Sequence, residues 1–326
     1  MAKLNLAVVH LVRKANGPEP LRAFLRSYED APAGAEHDLV LLLKGFDSSR
    51  EAREYLSSAE ATAYETLSVS DEGFDIGAYF AVAVQLDHTH VCFLNSFTTV
   101  RVAGWLEALV SGLAQRDMGL VGATASYASH HSWLHYELGL PSAYGEIYPS
   151  RKQARSQMIR FAQAQGIFDR GPGIPRRWLA ALRRLPTFYG RFGPFPAAHI
   201  RTNGFALASD LMRMLDHPSI RKKAHAFRVE GGKRSITTQV EQLGLRAAVI
   251  GADREVYERD AWPASRTFWQ GDQENLLLED NQTRVYSAAD LDLRTFLSRF
   301  GWGLDADPAP PSFSLRLEGH RDESGR

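Results

Sequence analysis

The sequence predicts an α/β protein with a mostly parallel central sheet and helices on both faces. Short apolar runs alternate with helix-like segments over the first 125 residues, and the alternation returns after residue 199. Such alternation is typical of right-handed βαβ units. The runs themselves, such as Leu39–Leu43, are apolar throughout, as expected for strands that are buried on both faces of a parallel sheet.

The predicted elements of the first 125 residues follow one another closely. Strands are predicted at apolar runs, and helices where apolar residues recur every three or four positions. In chain order they are strand Leu4–Val12, helix Pro20–Tyr28, strand His37–Leu43, helix Glu51–Ser58, strand Thr66–Val69, helix Asp75–Leu86, strand His90–Leu94, helix Trp105–Ala114 and strand Met118–Ala123. Ligands of such sheets bind beyond the carboxyl ends of the strands, so residues that follow each strand are candidate site residues.

The pattern is weaker beyond residue 125. Residues 126–198 are interrupted by prolines and aromatic residues, and residues 305–326 have the polar, proline-containing composition of a disordered tail. Between these two regions the predicted elements are strand Gly204–Ala208, helix Asp210–Leu215, helix Ser235–Leu243, strand Arg246–Ile250, and weaker elements at Leu276–Leu278 and Leu291–Phe300.

The composition excludes several classes of protein. Lys plus Arg and Asp plus Glu both number 38, so the chain as a whole gives no indication of a nucleic-acid partner. The single cysteine, Cys92, cannot form an intrachain disulfide, and its apolar surroundings predict a buried, inert thiol. No signal peptide or membrane-spanning apolar stretch is recognised. We therefore expect a cytoplasmic protein, with the inner face of the membrane as a further option.

Four segments carry a resemblance to a known family. They are Asp71–Gly77, Val91–Ser96 followed by Gly104–Leu106, His199–Phe205, and Glu230–Gly232 ahead of Gln239–Gly244. In this order they resemble the GT-A-fold glycosyltransferases, in particular family 2 and its rhamnan-synthesis relatives. The resemblance implies a Rossmann-like sheet and transfer of a hexose from a nucleoside diphosphate sugar to a glycan or lipid-linked acceptor, in surface polysaccharide synthesis.

The resemblance also implies a division of the chain. Residues 1–125 would be the half that binds the nucleotide sugar, and residues 199–304 the acceptor-binding and catalytic half. Residues 126–198 would be a basic aromatic insertion. Within it the segment from Arg151 to Phe192 has ten Lys or Arg residues and one acid, Asp169, which suits either a lid or a face docked on an anionic membrane. A helix packed into the core is the third option.

The chain departs from the family at the metal-binding strand end. Where the family has Asp-x-Asp, this sequence reads Asn95-Ser96-Phe97-Thr98. Asn and Ser are poor ligands for Mg²⁺ or Mn²⁺, which prefer carboxylate oxygens. A divalent metal is therefore possible but is not expected to be required, and we predict no metal ligand. The remaining options are a cation held elsewhere and a protein that has lost activity.

The resemblance places the catalytic base at Glu230, in a turn-rich segment before a helix, with Glu241 as the reserve. A carboxylate within hydrogen-bond reach of the acceptor hydroxyl is the usual general base. A solvated surface glutamate is the alternative for either residue. The acceptor side is predicted to include His199, Arg201 and Asn203.

The predicted donor site consists of residues that follow strands. It comprises Arg13, Lys44, Asp75, Gly77, Asn95 and Ser96, with Lys14, Arg201 and Lys233 as further cations for the diphosphate. Cations and helix N-termini can replace a metal in neutralising phosphate charge. Asp75 could accept hydrogen bonds from a base or ribose, or could instead cap the following helix.

Rival interpretations remain open at this point. His131 and His135 are four residues apart and near His130, but without a carboxylate in register they form a poor zinc signature. A nucleotidyltransferase would need a glycine-rich basic loop after the first strand, of which 13–17 is a poor version. An inactive GT-A-like protein that binds a glycan or nucleotide is the alternative from outside the enzymes.

Overall fold

Eight strands form the central sheet within the part of the chain that the computed structural model describes, residues 5–57, 62–166, 190–306 and 308. All the strands, in chain order, are β1 (Leu6–Arg13), β2 (Asp38–Lys44), β3 (Glu65–Val69), β4 (His90–Leu94), β5 (Thr99–Val100), β6 (Met118–Gly122), β7 (Ala125–Ser126), β8 (His199–Ile200), β9 (Gly204–Ala208), β10 (Arg246–Ile250), β11 (Val256–Tyr257) and β12 (Leu278–Glu279). The order across the sheet is β11-β10-β6-β9-β4-β1-β2-β3.

Six of these strands run parallel to one another. β1 pairs in parallel with both β2 and β4, β2 with β3, and β10 with β6. β9 is antiparallel to its neighbours β4 and β6, and β11 is an antiparallel edge strand. The predicted mostly parallel sheet is confirmed. Since β9 comes from the second half of the chain and lies between β4 and β6, both halves build one sheet.

Helices cover both faces, as predicted. They are α1 (Glu19–Asp30), α2 (Ser49–Leu56), α3 (Phe74–Ala83), α4 (Trp105–Leu113), α5 (His130–Leu138), α6 (Ala143–Ile147), α7 (Arg151–Ala164), α8 (Ser209–Met214), α9 (Lys223–Gly231), α10 (Ile236–Gln242), α11 (Asn281–Ala288) and α12 (Leu291–Trp302). Alternate residues of β1 enter different cores: Val9 packs on the α3 side and Val8 on the α1 side. The apolar residues of the strands therefore contribute to the hydrophobic cores on both faces of the sheet.

Part of the insertion is packed into the protein. α5, α6 and α7 contribute buried aromatic residues such as Tyr144 and Phe161, which lie against Phe300 and Trp269 respectively. The rest of the basic segment, residues 167–189 with Trp178, lies outside the described residues, as does nearly all of the predicted tail. Its lid or membrane role stays a prediction. Among the described helices, none is both long and apolar enough to cross a bilayer.

A histidine lies in the middle of the sheet. His10 of β1 is 1% exposed and stacks on Phe24 of α1, with ring centres 3.7 Å apart. Its Nδ1 has no hydrogen-bond partner among the described residues. Burial lowers the pKa of His10 from 6.5 to about 3, because the apolar surroundings disfavour the charged ring.

This histidine should make stability depend on pH. Its folded pKa lies below its unfolded value, so the unfolded state binds more protons between pH 6.5 and 3. The contribution is complete above pH 6.5 and is lost as pH falls through that window, by up to about 1.4 kcal/mol per pH unit. Denaturant titrations from pH 7 to 4 should show a shallower decline for His10→Phe. An unchanged slope in that variant would contradict the assignment.

Candidate functional site

The carboxyl ends of four neighbouring parallel strands meet at one edge of the sheet. β1 ends at Arg13, β2 at Lys44, β3 just before Asp71, and β4 just before Asn95. Register places Arg13 opposite Lys44, and His10 opposite Leu94. The predicted donor residues are therefore brought to a common edge, and no two lie on opposite edges of the sheet.

Lys44 holds the turn that follows β3. Its side chain is 1% exposed, and Nζ donates to the backbone carbonyls of Ser70 at 3.3 Å and Glu72 at 2.5 Å. Burial lowers the pKa of Lys44, with the charges of Asp71 and Asp75 opposing the shift. With two of its three donors on the backbone, Lys44 shapes the site, and its predicted contact with a diphosphate stays a prediction.

The two basic residues after β1 differ in their environment. Lys14 Nζ is 2.7 Å from carboxylate oxygens of both Asp47 and Glu51, which raise its pKa by hydrogen bonding. Arg13 has a longer contact, 3.4 Å from Nε to Asp71 Oδ1, with 38% of its side chain exposed. An exposed ion pair of this kind contributes little. Arg13 is therefore more available than Lys14 to bind an anionic ligand.

Asp75 lies in the first turn of α3, and Gly73 rather than Asp75 is the N-cap. The alternative role of Asp75 as a cap is wrong, because the helix begins one residue before it. Gly73 adopts φ +84°, which an L side chain rarely adopts, whereas Gly77 has room for a Cβ. No donor within the described residues bonds the Asp75 carboxylate. The function of Gly77 in donor binding stays a prediction.

The charge around Asp75 shows which groups surround it. Burial raises the pKa of Asp75; the charges of Arg13 and Lys44 oppose the shift, and Glu230 adds to it. Lys223, at the start of α9, also acts on Asp75. α3 and α9 pack against each other, which brings residues 150 positions apart in the chain to one place. Asp75 therefore lies near a second carboxylate, Glu230, and several cations.

The strand end after β4 does not fit a divalent metal. Asn95 Oδ1 accepts from Phe97 N at 2.9 Å and from Thr98 Oγ1 at 3.0 Å, so this oxygen closes its own turn. Ser96 is buried, and its Oγ has no hydrogen-bond partner in the described chain. No group of three or more His, Cys, Asp or Glu side chains within the described residues could hold a metal.

A guanidinium lies against the same turn. Arg284 of α11 donates to Phe97 O at 2.9 Å and to Thr99 Oγ1 at 3.3 Å. Its side chain is 40% exposed, and Glu279 lies 3.9 Å away. Positive charge is thus present beside this strand end without a metal. Neither residue type nor spacing in the sequence connects Arg284 with residues 95–98.

Glu230 occupies the last turn of α9, whereas the sequence predicted a turn-rich segment. Its Oε1 accepts two hydrogen bonds from Thr202, from the backbone N at 3.1 Å and from Oγ1 at 2.8 Å. Among the described residues nothing bonds the second oxygen, Oε2. The partly buried carboxylate is therefore fixed at one oxygen and open at the other.

A buried histidine, His199, and a partly buried one, His130, lie near Glu230. His199 Nδ1 lies 2.7 Å from Ala197 O, so Nδ1 carries the hydrogen and Nε2 a lone pair in the neutral ring. A Cβ at Gly231 would lie 3.1 Å from the His199 ring. Burial lowers the pKa of His199, and it lowers that of His130 to about 4. Both rings are therefore neutral near pH 7, and the charge of Glu230 acts on each.

Arg201 and Asn203 lie in the interior. Arg201 is 6% exposed; it donates to Asp280 Oδ2 at 2.7 Å and to Thr124 Oγ1 at 3.2 Å. Asn203 Oδ1 accepts from Thr124 at 2.6 Å, and its Nδ2 is buried without a partner in the described residues. These contacts join the β8–β9 link to the β6–β7 link and to the N-cap of α11, and acceptor binding by either residue stays a prediction.

Glu241, His131 and His135 are not among the residues whose charges act on Asp75, whereas Lys223 is. Glu241 of α10 lies near the amino end of β10, at the opposite edge of the sheet, and pairs with Arg259 at 3.0 Å. The rings of His131 and His135 on α5 lie next to each other, with centres 4.1 Å apart and planes tilted by 33°. Lys223 was missed by the sequence analysis. Its Nζ lies 5.4 Å from the Phe227 ring, which in turn contacts His130.

No family model and no curated protein matches the chain. Solved structures with some likeness include a mannosyltransferase from Pyrobaculum calidifontis in complex with GDP-Man and Mn²⁺, with 12% identity, a TM-score of 0.41, and coverage of 82% of this chain and 61% of that one. Another is glucosyl-3-phosphoglycerate synthase from Mycobacterium tuberculosis in complex with Mn²⁺, UDP and glucosyl-3-phosphoglycerate, with 14% identity, a TM-score of 0.36, and coverage of 74% and 64%. The chain thus spans somewhat less than two thirds of these proteins, and the likeness assigns no activity to it.

Proposed function

We propose that the protein is a GT-A-like glycosyltransferase that moves a hexose from a nucleoside diphosphate sugar to a hydroxyl of a glycan acceptor. The observation that carries this proposal is that Thr202 holds Glu230 by one oxygen on a helix packed against α3, near the strand ends that carry Arg13 and Lys44. The charges of Glu230, Arg13, Lys44 and Lys223 all act on Asp75. A base with a free oxygen beside cations suits a reaction that removes a proton and releases a diphosphate.

The proposed step needs one base and one leaving group. Glu230 Oε2 takes the proton of the acceptor hydroxyl, and the acceptor oxygen forms a bond to the anomeric carbon of the sugar. The bond from that carbon to the diphosphate oxygen breaks, and the nucleoside diphosphate leaves with the electron pair. His199 and His130 are neutral near pH 7, so these two rings add no positive charge beside Glu230.

Side-chain cations neutralise the diphosphate in this proposal. Arg13 and Lys223 are partly exposed or exposed cations whose charges act on Asp75, whereas the Lys44 ammonium group donates to backbone carbonyls. The N-terminal turn of α3 adds unpaired backbone N–H groups. Asp75 and the strand-end residues Asn95 and Ser96 would contact the base, ribose or phosphates. A surface polysaccharide or lipid-linked acceptor, at the inner face of a membrane, is the cellular setting that we propose.

The donor should bind with little help from divalent cations. Calorimetric titration of a panel of nucleoside diphosphates is expected to find one that binds with a similar Kd in excess chelator and in Mn²⁺. Arg13→Ala and Lys223→Ala should each weaken that binding, while Arg259→Ala, at the opposite edge, should not. A loss of affinity beyond ~100-fold on chelation would mean that the donor binds through a metal ion held by residues other than those proposed here.

A further inference from the structure

Thr202 holds the carboxylate of Glu230 at one oxygen only. Its backbone N and its hydroxyl both donate to Oε1, at 3.1 and 2.8 Å. Hydrogen bonds to an ionised carboxylate are roughly twice as strong as those between neutral groups, and two donors to one atom restrict rotation of the side chain. The other oxygen, Oε2, accepts nothing within the described residues. The carboxylate thus has one anchored and one available oxygen.

The path of the chain explains why, of residues 201–203, it is Thr202 that contacts Glu230. Residues 201–203 link β8 to β9, and the side chains of Arg201 and Asn203 point into the interior toward Asp280 and Thr124. Thr202 lies between them, is only partly buried, and contacts α9 on the other side. The interior contacts of its neighbours fix the backbone N–H that Thr202 presents. The sequence pattern indicated Arg201 and Asn203 but not Thr202.

We propose that Thr202 is a positioning residue for the general base: it fixes Oε1 of Glu230 so that Oε2 is presented to the acceptor hydroxyl. The inference rests on the proposed function of Glu230 as that base. Positioning of a reacting group within a fraction of an ångström is worth large rate factors. A purely structural link between α9 and the β8–β9 segment is the competing explanation for the same two hydrogen bonds.

Two variants separate these explanations. Thr202→Ser keeps the hydroxyl, whereas Thr202→Val removes it at nearly the same volume and leaves the backbone donor. Positioning predicts that Thr202→Val lowers kcat by ~10-fold or more, with the KM for donor and acceptor unchanged, and that Thr202→Ser restores it. In a Glu230→Gln background, Thr202→Val should change kcat much less, because the group that it positions is no longer a base. Normal kcat in Thr202→Val would overturn the proposal.

A crystallographic comparison tests the proposal without turnover. The Glu230 carboxylate should occupy the same position in the wild type and Thr202→Ser, and should take other rotamers in Thr202→Val. An unmoved carboxylate in Thr202→Val would overturn positioning, whatever the activity. If the carboxylate moves but the wild type transfers no sugar from any donor, the proposed function fails, and only the orientation of the Glu230 carboxylate by Thr202 is established. The two failures are therefore distinguishable.

Discussion

Glu230→Gln is expected to lower kcat by roughly 10²- to 10⁴-fold, the usual worth of a general base, while donor affinity stays near the wild-type value. Gln is nearly isosteric, and its carbonyl oxygen can still accept both hydrogen bonds from Thr202. The fold should therefore survive, and the loss should appear in kcat rather than in KM. Steady-state kinetics with the donor identified by calorimetry, together with a thermal melt, measures both parts.

Glu241→Gln is the matched control. Glu241 also lies near the end of a helix, but it pairs with Arg259 at the opposite edge of the sheet. Its variant should keep wild-type turnover. The opposite pattern, with activity lost in Glu241→Gln and kept in Glu230→Gln, would move the base to the reserve candidate. Donor binding without turnover in any form, the wild type included, would favour a binding protein.

The strands could be predicted because burial on both faces leaves a strong signal. β4, β9 and β10 have the predicted bounds, and each pairs with a neighbouring strand on both sides. α9 was missed because its only buried residue is Val229, so no apolar stripe marks it. β5, β7 and β8 have two residues each, and long-range pairing rather than local sequence creates them.

The site could be predicted only in outline, because the hydrogen-bond partners of its side chains are set by tertiary contacts. The order of the strands predicted that Arg13, Lys44 and Asp75 lie at the carboxyl ends of the strands. The residue type of Lys44 does not show that its ammonium group donates to the carbonyls of Ser70 and Glu72. Lys223 and Arg284 join the site area through helix packing, which no motif records. In the 199–203 segment Arg201 and Asn203, which the family resemblance indicated, face the interior, whereas Thr202 contacts Glu230.

Arg201→Met is expected to lower the free energy of unfolding by about 3–5 kcal/mol, because it leaves Asp280 as an unpaired charge in the interior. The side chains of Arg201 and Asp280 are 7% and 1% exposed, and the guanidinium also stacks over Phe268 at 4.0 Å. Asp280 further caps α11, so its carboxylate cannot turn away to solvent without breaking the helix start. Urea denaturation at pH 7 measures the loss.

The controls for this prediction decide between two functions of Arg201. Arg259→Met removes a guanidinium from a largely exposed pair and should cost less than ~1 kcal/mol. Combining Arg201→Met with Asp280→Asn should recover part of the loss, because neither buried charge is then left alone. If Arg201→Met instead kept nearly full stability and raised the KM for the acceptor at constant kcat, Arg201 would be the acceptor-binding residue that the sequence indicated. Because Arg201 is buried and donates hydrogen bonds to both Asp280 and Thr124, we expect the loss of stability.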